Sequence, residues 1–208
     1  MSPTRTLDPD VSQRLLDAAE RLFYSRGVQA VGIDAVVAEA GVATKTLYAH
    51  FGSKDALVEA YLRRRDQRWL DWLRGAVAAA EPGPARVLAV FEALRRWFAE
   101  PSYNGCAFIN VVGEFAASPA ARAVARDHKA ALRALLRDVA AGAGVNNHAV
   151  LADRLMLLVE GAIVTAHVEG DADAALRGRS AASALLEFDR LTSVTTPPPT
   201  GRAATAAG

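Results

Sequence analysis

Apolar residues recur at helical spacing along most of this chain, and glycine or proline cuts the runs into pieces of a few turns each. Strand-like alternation is nearly absent, so the chain can hardly fold into anything but packed helices. The first run spans Asp10 to Arg26 and places Val11, Leu15, Leu16, Ala19, Leu22 and Phe23 on one stripe, with Gly27 in the usual position for a terminating glycine. Short helices are predicted over Ile33 to Ala40, closed by Gly41, and over Thr44 to Phe51, broken by Gly52-Ser53. Ser53 can cap a long helix from Lys54 to about Ala80, which Pro82 and Pro84 stop. Ala85 to Glu100, Gly105 to Ala117, Ala120 to Ala141, Asn147 to Glu169 and Ala172 to Leu191 bring the count to nine helices. The stretch 192–208 is rich in Pro, Ala, Thr and Gly and reads as a disordered tail.

The expected fold is therefore all-α: a three-helix unit over 10–55, joined by a long helix to a larger helical domain over 56–191. The abrupt change from short helices to long ones argues against one continuous bundle. With 208 residues, 51% of them hydrophobic, the chain can bury a sizeable core. Its single cysteine, Cys106, rules out an intramolecular disulfide and any cysteine-based zinc site, and fits a reducing compartment. The first ten residues lack the apolar core of a signal peptide, and the most apolar stretch, Leu155 to Val168, is too short to span a bilayer and is interrupted by Glu160 and His167. A cytoplasmic protein is expected. Net charge is +1, with 11 Lys and Arg against 10 Asp and Glu in residues 1–75, so overall charge neither supports nor excludes a nucleic-acid partner. Placement has to decide.

Placement is informative between Ile33 and Phe51. Ile33, Val36, Val37 and Ala40 give the first short helix an apolar face, Val42 fills the corner after Gly41, and Leu47 and Phe51, four apart, fix the second helix to a core. What remains on the second helix is Thr44, Lys45, Thr46, Tyr48, Ala49 and His50: hydroxyls, a cation, an aromatic hydroxyl and one small residue. Such a surface suits a major groove, into which the second helix of a helix-turn-helix inserts with its N-terminal residues toward the bases. The apolar positions alone fit a plain helical hairpin equally well; the exposed polar set does not.

The run Ala40-Gly41-Val42-Ala43, followed by Thr46-Leu47-Tyr48-Ala49-His50-Phe51-Gly52-Ser53-Lys54-Asp55-Ala56-Leu57, resembles the signature of the tetracycline-repressor (TetR) family, as does the upstream Ala18-Ala19-Glu20-Arg21-Leu22-Phe23 with Gly27. The resemblance covers about residues 10–60. It implies that Thr44, Lys45, Thr46 and Ala49 face base edges or the groove floor. Tyr48, His50 and Lys54 would contact phosphates, Lys54 from a helix N-terminus where anions are favoured. Two positions depart from the family pattern. Gly32 stands where a Ser or Thr is usual and Ala43 where Ser is frequent, which puts individual phosphate contacts and caps in doubt; Thr44 could then be drawn into capping.

The resemblance also implies a ligand pocket and a dimer interface in the larger domain, and no cofactor. Pocket candidates are the apolar Trp69, Trp72, Phe91, Trp97, Phe108 and Val164 with the polar Asn110, Glu114 and Glu160. Each has a simpler structural reading: aromatic core, or in the case of Asn110 and Glu114, four apart, a mutual hydrogen bond. His128 sits in the charged run Arg126-Asp127-His128-Lys129 and is expected to be solvated; His167 reads as a core or interface histidine. Cys106 reads as a small buried apolar residue, with no basic neighbour within four positions in sequence. The stripes Val150, Leu151, Leu155, Leu158, Val159, Ala162, Ala166 and Leu176, Ala181, Ala184, Leu185, Phe188 suit either a two-fold four-helix interface or internal packing.

The function these readings support is a homodimeric, ligand-responsive transcriptional repressor that holds a palindromic operator in double-stranded DNA and is released by a small hydrophobic or amphipathic effector. The alternative is a helical sensor or interaction module whose DNA binding is lost or depends on a co-ligand. An enzyme is disfavoured: no catalytic triad, metal cluster or phosphate loop is legible.

Overall fold

The computed structural model describes residues 9–114 and 118–194. All regular structure among them is helical: α1 (Pro9–Arg26), α2 (Ile33–Ala40), α3 (Thr44–Phe51), α4 (Lys54–Ala78), α5 (Pro84–Phe98), α6 (Ala107–Glu114), α7 (Pro119–Gly142), α8 (His148–Glu169) and α9 (Ala174–Val194). The glycine and proline punctuation sets the boundaries. Gly41 ends α2 in the left-handed conformation, which lets the chain turn at once into α3. Pro84 opens α5 and Pro119 opens α7, both as first-turn prolines. Two expectations shift. The sixth helix is shorter than predicted, spanning Ala107–Glu114; residues 115–117, expected to continue it, lie outside the described residues. The last helix continues to Val194, past the predicted end at Leu191, so the tail over 192–208 starts as helix; 195–208 lie outside the described residues.

The N-terminal unit closes on itself through α1, whose Leu15, Ala18, Ala19, Leu22 and Phe23 are buried against Val36 and Val37 of α2, Leu47 of α3, and Leu57, Val58 and Tyr61 at the start of α4. Phe23 meets the Tyr61 ring edge-on at 5.8 Å. A polar knot adds to this seat. Glu20 accepts from Arg64 at 2.7 Å, Arg68 at 3.1 Å and Arg65 at 3.4 Å, while Arg64 also reaches Asp17 at 2.7 Å. The Arg65 guanidinium lies 3.7 Å from the centre of the Tyr24 ring. The remaining helices form the larger unit, with α7, α8 and α9 packed in sequence, α5 against α9, and α4 against α7.

Caps differ along the chain. Ser53 accepts from the Ala56 N–H at 3.1 Å, and Asn147 from the Val150 N–H at 3.3 Å. Gly32 and Ala43 offer no side-chain cap to α2 and α3. Ala43 already has the extended backbone an N-cap needs, φ −79° and ψ 148°, and is exposed. Ala43→Ser therefore gains the missing bond, about 0.5–1 kcal/mol, which raises the thermal midpoint by about 1–4 °C. A calorimetric scan of the two proteins checks this; an unchanged or lower midpoint contradicts it.

Candidate nucleic-acid interface and sensory core

Leu47 is the one residue of α3 that is fully buried; Phe51 is half-buried on the same side. Opposite them stand Thr44, Lys45, Tyr48 and Ala49, all exposed, with Thr46 and His50 half-exposed between the two sides. Four of the six predicted positions of this helix are thus exposed, and Thr46 and His50 lie at the margins of that surface. Lys54 opens α4 beside it, half-exposed. Thr44 occupies the first helical position rather than the cap, so its hydroxyl is not consumed in capping as the sequence allowed. Lys45 and Lys54 form no ion pair among the described residues, whereas Arg21 is tied to Glu39 at 2.9 Å, Arg63 to Glu59 at 2.8 Å and Arg64 to Asp17 and Glu20. Two unneutralised ammonium groups, hydroxyls and a low alanine surface can engage phosphates and base edges at once.

The predicted pocket residues are only partly gathered. Trp69, Trp72 and Trp97 form a cluster with ring centres 5.6–6.3 Å apart, extended by Tyr103 at 5.0 Å from Trp97. Phe108 stacks face to face on His128 at 3.7 Å, and Trp69 meets the same imidazole at 5.4 Å. Glu160 accepts from Lys129 at 2.7 Å, and that ammonium also lies 3.5 Å from the Cys106 sulfur. Of these groups Trp69, Trp97, Phe108, His128, Lys129 and Cys106 line a cleft of about 10 Å³, room for roughly one water, while Trp72, Tyr103 and Glu160 do not. Phe91 is elsewhere, fully buried against Gly178 of α9. Val164 is exposed on the outer side of α8, away from the cleft.

Asn110 and Glu114 do not bond each other. Asn110 donates to the Asn104 carbonyl at 2.9 Å. Glu114 accepts from the Gln29 backbone N–H at 3.3 Å, and the Gln29 amide donates to the Glu114 carbonyl. Gly27 is held so close that a Cβ there would come within 2.5 Å of the Glu114 carboxylate, and its φ of 86° independently requires glycine. Beside this contact the Tyr24 hydroxyl donates to the Gly105 carbonyl at 3.0 Å and accepts from the Asn104 N–H at 2.9 Å. The C-terminal end of α1 is thereby tied to α6 and the turn before it. Tyr24, Gln29 and Asn104 escaped the sequence reading, because nothing in one chain's spacing links positions about eighty apart.

The model for bacterial regulatory proteins of the tetR family matches residues 15–61. The chain superposes on a TetR-family transcriptional regulator, SCO4454, from Streptomyces coelicolor, with TM-score 0.79, 28% identity and coverage of 88% of this chain and 97% of that one. It is 32% identical to the TetR transcriptional regulator sav143 of Streptomyces avermitilis, covering 86% of this chain and 98% of that one at TM-score 0.72. The chain belongs to the TetR family. Among curated TetR-type relatives it is 42% identical over 57 residues to the regulator Rv1255c of Mycobacterium tuberculosis, 36% over 80 residues to the activator FasR and 33% over 94 residues to the repressor KstR2, both of Mycolicibacterium smegmatis. These matches span 28%, 36% and 44% of the relatives' lengths, less than half in each case. The TetR likeness thus runs through the whole fold against solved structures but is confined to a shorter segment against the curated proteins.

His128 contradicts the expectation of a solvated residue: it is 3% exposed, and its Nδ1–H donates to Asp66 at 2.7 Å. The helical turn that carries it puts Arg126 outward and His128 inward, which charge density along the sequence hides. Burial lowers its pKa from the ordinary value, against the opposing pull of the Asp66 hydrogen bond. The unfolded chain therefore binds the proton more readily than the folded one. Its contribution to stability is full above the unfolded value of about 6.5 and is lost as pH falls below it toward the lower folded value. The urea midpoint should fall between about pH 8 and about pH 5.5, and His128→Gln should flatten that slope. An equal slope in wild type and variant contradicts the assignment.

Proposed function

We propose that this protein is a DNA-binding transcriptional regulator that grips a palindromic operator as a homodimer and lets go when a small molecule enters its larger domain. The observation that carries the reading is the α3 surface: Thr44, Lys45, Tyr48 and Ala49 are exposed with Thr46 and His50 at the margins, and Lys45 and Lys54 form no ion pair among the described residues. Thr44, Lys45, Thr46 and Ala49 meet the base edges; Tyr48, His50 and Lys54 hold phosphates and fix the register. The protein acts by binding, without a cofactor, in the cytoplasm; no described helix is long and apolar enough to cross a membrane. The unit over 10–55 holds the DNA and 56–191 the ligand and the partner. Relatives include both a repressor and an activator, so the sign is a separate proposal: repression, by covering a promoter.

Selection of bound fragments from genomic DNA, followed by affinity at several salt concentrations, tests the core of this. A palindromic site with a steep salt dependence is expected. Lys54→Ala should weaken binding evenly across sequences and lower the salt slope by about 1, and the double variant Lys45→Ala, Tyr48→Phe should lose about tenfold or more. Wild-type affinity in the double variant would show that α3 does not face the DNA.

The dimer reading rests on α8 and α9, though on a corrected face of α8. Leu151, Leu155, Val159, Ala162 and Ala166, predicted for the interface, are buried within the chain. The outward seam is Val150, Arg154, Leu157, Gly161, Val164 and Val168, alternating four and three apart, with Leu157 74% and Val168 76% exposed. That spacing is the seam of an antiparallel or parallel helix pair, and Gly161 lets two backbones approach. On α9, Leu176, Ala184 and Phe188 are exposed as predicted, with Ala181 and Leu185 half-buried between them. Leu157→Glu should yield a monomer in sedimentation at micromolar concentration and weaken operator binding sharply. A variant that stays dimeric places the interface elsewhere.

The ligand's effect on DNA follows from the α6 tether. Displacing α6 pulls on Gln29 and Gly27 through Glu114, and on Tyr24 through Asn104, so the pose of α1 and the recognition helix it carries depends on where α6 sits. A ligand achieves this only by binding one pose better than the other.

A further inference from the structure

We infer that the effector is an amphipathic carboxylate, seated in the open groove between α6 and α7 rather than in the aromatic interior. The inference rests on the ligand-responsive reading above and names its ligand class. The interior cleft has room for about one water, and its polar groups are already partnered, Lys129 with Glu160 and His128 with Asp66. The groove has about 740 Å³, within the range of small-molecule sites. Its wall on α6 is Phe108, Ile109, Val112 and Gly113, and Ile109 is 41% exposed to it. Its wall on α7 alternates small apolar residues, Ala125 and Ala130, with cations.

Those cations fix the sign of the ligand. Arg122, Arg126, Lys129 and Arg133 recur four, three and four apart along α7, and all line the groove, while among the described residues no Asp or Glu does. Lys129 is engaged by Glu160, Arg133 is 3.5 Å from Asp153, and Arg122 has an interaction of its own. Arg126 is exposed and forms no ion pair among the described residues. A guanidinium on the rim of an apolar trough suits an acid head group, gripped in two-point fashion while the chain lies on Phe108, Ile109 and Val112. A cation or a neutral hydrocarbon leaves that charge unanswered.

The groove also reaches the DNA-binding unit. Ile109 and Val112 are on the groove side of α6; Asn110 and Glu114, on the other, make the tether to the turn before α6 and to the end of α1. A chain wedged between α6 and α7 pushes the tethered side. Phe108 and Lys129 line both the groove and the inner cleft, so the wedge also disturbs the Phe108–His128 stack.

The test is calorimetric titration of the full-length dimer with dodecanoate, dodecanol and dodecyltrimethylammonium, each below its micelle concentration, beside operator binding at saturating probe. Dodecanoate should bind saturably, dodecanol at least tenfold more weakly and the ammonium not measurably. Arg126→Glu should weaken dodecanoate at least tenfold, and Ile109→Asp should abolish it; both positions are exposed, and circular dichroism verifies folding. Dodecanoate affinity unchanged in both variants, or equal affinity for dodecanol, overturns the proposal. Saturable, variant-sensitive binding that leaves the operator occupied supports the groove and instead overturns the ligand-release reading.

Discussion

One carboxylate, Glu20 of α1, holds three arginines of α4 against it. Arg64 and Arg65 have side chains only 12% and 13% exposed, so their charges have little water to fall back on and depend on Glu20 and Asp17. Beneath this polar knot Phe23 and Tyr61 seal the same junction with apolar surface. The result is that α1 and the first half of α4 form one rigid corner. The recognition helix has little packing of its own beyond Leu47 and Phe51, and rests in that corner. Its position is therefore set by α1 and α4, and any change at their far ends is a change in where α3 points.

Those far ends are held differently. The connector α4 continues into the larger domain, where Leu70, Leu73 and Val77 are buried and it packs on α7 and α5. The end of α1 has no such continuation; the turn before α6 holds it through Tyr24, and α6 through the Gln29 hydrogen bonds and the space left by Gly27. One link is apolar and continuous, the other polar and discrete. A discrete polar link can break and re-form between two poses without emptying a core, which is what a two-state coupling requires.

The sequence made some of this legible and hid the rest for physical reasons. Helix ends at Ala40, Phe51 and Glu169 were readable because Gly41, Gly52 and Gly170 terminate helices by local conformation alone. The exposed side of α3 was readable because a short helix with two anchoring apolar residues has one possible orientation. On α8 apolar residues occupy nearly the whole circumference, so periodicity could not tell the inner stripe at Leu151, Leu155 and Val159 from the outer one at Leu157, Val164 and Val168. His128 was misjudged because a charged neighbourhood in sequence spreads over all sides of a helix. The Lys129–Cys106 approach joins residues twenty-three apart in sequence, one in α7 and one just before α6, and has no local signature.

The short α6 is held by little buried surface of its own. Only Ala107, Phe108 and Val111 of its eight residues are buried, against seven buried residues on α4 and nine on α7. Local opening follows buried apolar contact, so of these three helices α6 shifts at the lowest cost. The flanking groove offers apolar surface at Ile109 and Val112 that gains from being covered. The opposite side of the same helix carries Glu114, whose carboxylate fits against Gly27 with no room for a methyl group. A fit that tight transmits small displacements: α6 cannot advance toward α1 without moving it, nor retreat without giving up the Gln29 bonds. On the proposed ligand-responsive reading, softness on the groove side and tightness on the side tied to α1 together make α6 the place where ligand and DNA are coupled.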